Sequence, residues 1–284
     1  MIRAILVLLS LVVIALVLLP FHVIGMVTGN RLQRDVPVLF HRLYCAVIGI
    51  RITQVGKLTK DKPVLILSNH VSWSDISVLG AVAPVTFVAK SEVKSWPVFG
   101  WLARLQRTIF IERDRRNKTG DHARAMADRL LGGDAVLLFP EGTSSDGIRI
   151  LPFRSALIGA VHHVIGDATH HDRVTVQPVS LAYVRYGGLP VGRALREKVA
   201  WYGDMDLVPH LLNILANGAV DVTVSWGEAV AYDMNADRKQ IARDAEASVR
   251  RMTARALRGT VPAVETPPPV IADELPAAAE AAPT

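Results

Sequence analysis

The N-terminal segment is the feature that most restricts how this chain folds. Residues 4–30 contain no Lys, Arg, Asp or Glu, and the apolar run over residues 4–27 is 24 residues long. A helix of that length reaches across the roughly 30 Å hydrocarbon core of a bilayer. A signal peptide has a shorter apolar core and a small-residue cleavage site, and an interfacial helix has a polar face. The run has no convincing site of that kind and no polar face, so residues 1–30 are predicted to form a transmembrane helix.

The charges on either side of this run predict its orientation. Arg31, Arg34, Arg42 and Arg51 follow it, whereas Arg3 and the amino terminus precede it. Because basic residues near a span collect on the cytoplasmic side, we expect a protein of the cytoplasmic (inner) membrane. The body that follows should lie on the cytoplasmic face.

A second apolar stretch covers residues 35–52 and is broken by His41 and Arg42. It is too short and too charged to span a bilayer. A core helix and a helix lying on the membrane surface both fit this pattern. We favour the second, and assign residues 31–60 to an amphipathic, interfacial segment.

Strand and helix patterns alternate over residues 61–260, which we assign to one domain. Helical spacing of small and apolar residues covers 121–131 and 236–257, and each pattern ends at glycine. Such alternation predicts an α/β fold with a central, mostly parallel sheet flanked by helices. Short β-rich runs occur at residues 64–67, 85–89, 108–111, 135–139, 174–181 and 220–226. Residues 261–284 are rich in Pro, Ala and acids and are expected to be disordered.

The net charge indicates an anionic partner. The chain carries +6 at neutral pH, and its acidic tail has no Lys or Arg, so the body is more basic than the whole. A lipid surface, a phosphorylated substrate and nucleic acid all fit such a charge. The predicted anchor argues against nucleic acid. Cys45 is the single cysteine, which excludes an internal disulfide and a cysteine-based zinc cluster.

The first candidate site follows the buried run at 64–67, in the sequence Ser-Asn-His-Val-Ser-Trp-Ser-Asp. His70 and Asp75 are five residues apart, so on one helix they would point about 140° apart. They meet if His70 lies in the loop and Asp75 in the first turn of the next helix, with Ser72 or Ser74 as its cap. The aspartate would then fix the tautomer of a basic imidazole. The simpler alternative is a loop histidine beside a capping aspartate.

A second polar loop follows the predicted strand at 135–139 with the sequence Pro-Glu-Gly-Thr-Ser. Gly142 allows a ligand to approach the backbone closely, and Thr143 and Ser144 are suited to hydrogen-bond an anionic group. A plain turn would have the same composition. However, ligands of open α/β sheets bind beyond the carboxyl ends of strands, and both polar loops are predicted at that edge.

A third stretch, residues 107–116, ends a β-run in a cluster of arginines. The planar guanidinium suits phosphate. A solvated charge run is the alternative for this stretch taken alone.

Together these stretches resemble the motifs of the glycerolipid acyltransferase family. The first motif of that family, Asn-His-x4-Asp, matches Asn69, His70 and Asp75, and its third, Phe-Pro-Glu-Gly-Thr, matches residues 139–143 without change. The second motif, Gly-x-x-Phe-Ile-x-Arg, is matched by Phe110, Ile111 and Arg113, but Arg107 stands where glycine is usual. A fourth, a β-run with proline, is matched around Pro178. Lys90 and Arg154 lie where the family tends to carry basic residues, and the resemblance covers about residues 60–230.

The resemblance implies acyl transfer from acyl-CoA or acyl-carrier protein to the free hydroxyl of 1-acylglycerol-3-phosphate, which gives phosphatidic acid. His70 would be the general base and Asp75 its orienting partner. The implied substrate-binding residues are Arg113, Glu141, Gly142, Thr143, Lys90 and Arg154. Glu141, being acidic, would orient an arginine or a hydroxyl rather than touch phosphate. No metal and no cofactor are expected.

Three alternatives stay open. An acyltransferase for another lysolipid, such as lyso-ornithine lipid, would use the same histidine, and Arg107 near the presumed head-group site is a reason to keep it. A lipid hydrolase would use Ser72 or Ser74 as nucleophile with His70 and Asp75. A non-enzymatic lipid-binding protein would retain the fold without the activity.

Overall fold

The computed structural model describes residues 2–112, 119–156, 158–159, 173–233 and 235–260. The predicted disordered tail, residues 261–284, therefore lies outside the described residues. The helices are α1 (Ile2–Thr28), α2 (Leu32–Ile48), α3 (Asp75–Val82), α4 (Phe99–Leu105), α5 (Thr119–Leu131), α6 (Arg196–Val199), α7 (Leu207–Asn217) and α8 (Arg238–Leu257).

Within the described residues, nine strands form one sheet. They are β1 (Ile50–Val55), β2 (Val64–Ser68), β3 (Val85–Lys90), β4 (Ile109–Ile111), β5 (Ala135–Leu138), β6 (Val174–Tyr186), β7 (Leu189–Pro190), β8 (Val220–Trp226) and β9 (Val230–Tyr232). The order is β1-β8-β6-β2-β5-β3-β4, and β7 and β9 also pair with β6. Five of the pairings are parallel and three, all made by β6, are antiparallel. The predicted α/β class, with a mostly parallel sheet flanked by helices, is confirmed.

Strand β2 lies in the middle of the sheet and is buried on both faces. Val64 and Ile66 contribute to one hydrophobic cluster, together with residues of α2 and α3. Leu65 and Leu67 point the other way, into a second cluster with α5 and α8. This two-sided burial explains why the strand is a continuous apolar run rather than an alternating one.

The segment assigned to residues 31–60 contributes more to the sheet than the sequence analysis predicted. Residues 50–55 form β1, an edge strand that pairs in parallel with β8. Helix α2 before it buries Val36, Cys45 and Ile48, while Leu39 and Leu43 are exposed. The inner face of α2 is thus a core face, and its exposed side carries Leu39 and Leu43 together with charged residues.

Helix α1 lies along the folded body and contacts it at both ends. Near its start, the Arg3 guanidinium donates to the carbonyl of Ile48 at 2.7 Å and to that of Leu215. Near its end, His22 Nε2 lies 2.8 Å from the Leu105 carbonyl. Among the described residues it is the one helix long and apolar enough to cross a membrane, with a mean hydropathy of 3.1. The apolar surface of α1, which a bilayer would cover, is therefore held against the folded body near both ends of the helix.

Arg107 lies at the opposite edge of the sheet from His70. It precedes β4, and its guanidinium contacts Asp134, which precedes β5, at 3.2 Å and Gln33 of α2 at 3.2 Å. The expectation that it stands near the head-group site is therefore wrong. Its backbone φ is +59°, a conformation that suits the glycine usual at this position.

The backbone strain at Arg107 can be measured by two substitutions. Arg107→Gly and Arg107→Ala both remove the contacts with Asp134 and Gln33, but only glycine accepts a positive φ without cost. We expect the glycine variant to be more stable than the alanine variant by about 1 kcal/mol, measured as a higher midpoint of thermal unfolding in detergent. At Arg251, on an exposed turn of α8, the order should reverse because alanine is the better helix former. An alanine variant at position 107 as stable as the glycine variant would contradict this account.

Candidate active site

The two polar loops predicted from the sequence do meet. Strands β2 and β5 are parallel neighbours, with Leu67 opposite Leu138, so both loops leave the same edge of the sheet. His70 follows β2 and Glu141 follows β5. The backbone N–H of His70 donates to Glu141 Oε1 at 2.9 Å, which joins the two loops directly.

Asp75 organises the first loop. Its side chain is fully buried, and its Oδ2 accepts hydrogen bonds from His70 Nδ1 at 2.8 Å and from the backbone N–H groups of Val71 at 2.6 Å and Ser72 at 3.0 Å. Its Oδ1 accepts from the Tyr183 hydroxyl at 2.7 Å. Four donors thus surround one carboxylate, which compensates for its removal from water.

The spacing argument for His70 and Asp75 is confirmed, because Asp75 is the first residue of α3 and His70 lies in the loop before it. A carboxylate accepts but does not donate, so His70 Nδ1 carries the proton and Nε2 is left as the basic nitrogen. The expected serine cap is not formed. Ser74 occupies the cap position without a capping hydrogen bond, and its hydroxyl lies 2.7 Å from that of Tyr183 instead.

Further contacts fix the His70 ring and its backbone. The ring stacks on Phe139, with centroids 4.2 Å apart and planes inclined by 21°. The carbonyl of His70 accepts from the Ser145 N–H at 2.9 Å. Just before it, the Asn69 side-chain amide pairs with both backbone polar groups of Leu181 on β6, at 2.8 and 2.9 Å. The first and third motifs therefore hold each other in place.

Glu141 contacts backbone groups rather than the cavity. Besides the His70 N–H, it accepts from the Leu151 N–H at 3.0 Å, and its side chain is buried. Burial raises the pKa of this carboxyl to about 7, against the opposing effect of the two backbone donors. Glu141 is therefore placed to orient the loops that contain His70 and Leu151.

The other predicted substrate-binding residues are placed as follows. Gly142, Thr143 and Lys90 line the cavity described below. Arg154 is exposed and lies across Gly142, where an added Cβ would come 3.2 Å from the guanidinium carbon. Arg113 lies outside the described residues.

A cavity of about 480 Å³ opens beside His70. It is lined mainly by apolar side chains of α1, α2, β3 and α4, and by Phe139 and the residues that follow it. Its volume is within the range of about 300–1,000 Å³ usual for ligand sites. An imidazole at one end of an apolar cavity fits a lipid substrate whose reacting group is polar.

The structure also bears on two other kinds of chemistry, a serine nucleophile and a metal ion. Ser72 and Ser74 are buried, and neither lines the cavity, which disfavours a serine nucleophile. In the part of the chain that the structure describes, no group of three or more His, Cys, Asp or Glu is placed to hold a metal ion.

Sequence reasoning missed Tyr183. Its hydroxyl binds the Asp75 carboxylate, but it lies in β6, 108 residues from Asp75, and nothing in its local pattern distinguishes it from a core residue. The structural role of Asn69 was also missed, although its place in the Asn-His motif was a signal.

Comparisons with known proteins show which family the chain resembles. A family model described as Acyltransferase matches residues 49–182. The lyso-ornithine lipid O-acyltransferase of Brucella abortus (strain 2308) is 49% identical over 91% of this chain and 96% of its own length. The 1-acyl-sn-glycerol-3-phosphate acyltransferase of Neisseria gonorrhoeae is 42% identical over 37% of this chain and 42% of its own length. The crystal structure of the 1-acyl-sn-glycerophosphate acyltransferase PlsC from Thermotoga maritima matches with a TM-score of 0.58 and 21% identity, over 90% of this chain and 96% of that one.

The chain therefore belongs to the glycerolipid (lysophospholipid) acyltransferase family, as its motifs predicted. It is an O-acyltransferase of the lysolipid type, which takes a lysolipid as acceptor and requires an acyl donor.

The raised pKa of Glu141 predicts a pH-dependent contribution to stability. Its pKa in the folded protein, about 7, lies above its ordinary value of 4.5. Its contribution is therefore fully present below pH 4.5 and is lost as the pH rises through 7. Glu141→Gln does not titrate, so the stability of wild type relative to this variant should fall between about pH 4.5 and about pH 7, by at most about 3 kcal/mol. Thermal unfolding of both proteins across this range measures the difference, and a constant or growing advantage of wild type would contradict the assignment.

Proposed function

We propose that this protein transfers an acyl group from an acyl thioester to the hydroxyl of lyso-ornithine lipid. The single observation that carries the proposal is the identity of 49% to a lyso-ornithine lipid O-acyltransferase over nearly the full length of both chains. The match to a 1-acyl-sn-glycerol-3-phosphate acyltransferase covers 37% of the chain. The alternative acceptor of the sequence analysis is thus better supported than the acceptor first expected.

The proposed chemistry begins at His70. Nε2 removes the proton from the acceptor hydroxyl while the hydroxyl oxygen attacks the thioester carbonyl. Asp75 keeps the proton of Nδ1 in place and stabilises the imidazolium that forms. Collapse of the tetrahedral intermediate breaks the C–S bond, and the thiolate takes the proton from His70. The products are an ester and a free thiol, and no metal or cofactor takes part.

The charges at the cavity support an ornithine head group. Among the described residues that line it, Lys90 and Glu92 are the charged side chains other than histidine. Ornithine offers a carboxylate and an ammonium group, which match one cation and one anion, whereas a phosphate dianion matches cations only. Arg154, across Gly142, and Arg113, outside the described residues, are kept as proposed substrate-binding residues, but neither enters this charge argument, which rests on Lys90 and Glu92. Thr143 offers a hydroxyl at the same end, and Glu141 orients the loop.

We propose acyl-CoA or acyl-carrier protein as the acyl donor. We also propose that the protein is located in the inner membrane, with its folded body on the cytoplasmic face. The basic residues that follow α1 support this orientation. A lysolipid in the bilayer would then reach His70 through the apolar cavity beside α1.

The proposal is tested by thiol release from acyl-CoA and from acyl-carrier protein by the detergent-purified protein. The acceptors are lyso-ornithine lipid, lysophosphatidic acid and other lysolipids. We expect release that requires lyso-ornithine lipid and that falls at least about 100-fold in His70→Ala. His70→Ala is first shown to unfold at a temperature close to that of wild type, so that a loss of activity reports chemistry.

The other outcomes separate the alternatives. Release that requires lysophosphatidic acid would keep the mechanism and overturn the acceptor. Release without any acceptor would indicate a hydrolase. The absence of release with every donor and acceptor, or equal activity of His70→Ala, would favour a non-enzymatic lipid-binding protein.

A further inference from the structure

The segment between β3 and β4 exposes large apolar side chains. Trp96, Val98 and Trp101 are 36%, 68% and 48% exposed, and they lie within six residues of one another at the turn that begins α4. We call these three side chains the tryptophan surface. Contiguous exposed apolar groups on a folded protein mark a site of contact with a partner.

The exposure results from a defined backbone and not from a loose loop. The N–H of Phe99 donates to the Pro97 carbonyl at 2.7 Å, and that of Gly100 donates to the Trp96 carbonyl at 2.9 Å. A Cβ on Gly100 would lie 2.3 Å from the Lys94 carbonyl, so the turn is tightly packed. Val98 itself has φ +64°, which β-branched residues rarely adopt. The fold therefore holds an apolar side chain outward at a conformational cost.

The tryptophan surface adjoins the apolar helix α1. The C-terminal end of α4 is joined to α1 by the contact between the Leu105 carbonyl and His22. Trp96 and Trp101 line the same cavity as Leu18 of α1. Leu18 of α1 and the two tryptophans of this surface thus border one cavity, which His70 also lines.

The charges of this segment match an anionic lipid surface. Lys90, Lys94 and Arg104 are basic, and Glu92 is the single acid among residues 90–105. Tryptophan with basic neighbours is typical of protein that lies at the boundary between headgroups and acyl chains. Each basic residue near an anionic bilayer adds electrostatic attraction.

We propose that the tryptophan surface inserts into the headgroup region of an anionic membrane, as a second contact beside α1. The cavity then opens into the bilayer between two inserted elements, and the lysolipid enters without crossing water. We favour a membrane over an acidic carrier protein because the two tryptophans line the same cavity as α1, the described helix that is long and apolar enough to cross a bilayer.

The experiment uses the full chain in vesicles. Cys45 is buried, and burial raises the pKa of its thiol to about 12, so a cysteine introduced at the surface can be labelled selectively. Val98→Cys places a polarity-sensitive fluorophore on the tryptophan surface. Val230→Cys is the matched control. Val230 is also an exposed valine (43%), but it lies on β9, and Tyr232 of that strand packs against the hydrophobic cluster formed with α5 and α8. Labelled wild type gives the background.

In vesicles of phosphatidylcholine and phosphatidylglycerol, we expect the Val98→Cys label to emit at shorter wavelength and to be quenched by brominated acyl chains. The Val230→Cys label should stay accessible to aqueous iodide. Lys94→Glu should reduce the emission shift at position 98 and leave position 230 unchanged. Because the readout does not require acyl transfer, it is independent of the proposed acceptor.

Two results would overturn the inference. Equal iodide access at positions 98 and 230 would show that the tryptophan surface stays in water. Protection of the label at position 98 that appears only when acyl-carrier protein is added, or only as protein concentration rises, would assign the surface to a carrier protein or to a second copy of the chain.

Discussion

The site depends on one buried carboxylate. Asp75 accepts hydrogen bonds from His70, from the backbone of Val71 and Ser72, and from Tyr183. An uncompensated charge in this position would be strongly destabilising. The buried carboxylate therefore depends both on the loop after β2 and on β6, which is distant in sequence but pairs with β2 in the sheet. The arrangement that lets the chain bury the charge also fixes which ring nitrogen of His70 is free.

The second polar loop is held by the same logic. Glu141 and Ser145 bind the backbone of His70 from the loop after β5, and Phe139 stacks on its ring. The motif Phe-Pro-Glu-Gly-Thr thus serves largely to position His70, and its Phe139, Gly142 and Thr143 also line the cavity. In the proposed mechanism, catalysis is assembled by two loops at one sheet edge, and substrate access is provided by α1 and α4.

The features that residues close in sequence determine were predicted from local patterns. The continuous apolar run of β2 predicted a buried strand, and the spacing of His70 and Asp75 predicted their contact. Long-range partners left no such signal: Tyr183 reaches Asp75 from 108 residues away. The strand at residues 50–55 was missed because only its pairing with β8 identifies it as part of the sheet. Arg107 was misplaced because the rule used for the two polar loops was not applied to it: it precedes the predicted strand at 108–111, and in a parallel sheet the residue before a strand lies at the edge opposite to the loops that follow β2 and β5.

The most direct test of the central claim is kcat/KM for acyl transfer by Asp75→Asn. Because the backbone N–H groups of Val71 and Ser72 share one Asp75 oxygen with His70 Nδ1, the amide of Asn places its oxygen there and its NH2 towards the Tyr183 hydroxyl. The volume and the ring tautomer are kept, and the negative charge that stabilises the imidazolium is lost. Because His70 loses the charge that supports proton removal, kcat/KM should fall at least about 100-fold, and the variant should still unfold cooperatively. Tyr183→Phe, which leaves the bond to His70 intact, should lose much less. An Asp75→Asn protein that is folded and nearly as active as wild type would contradict the account.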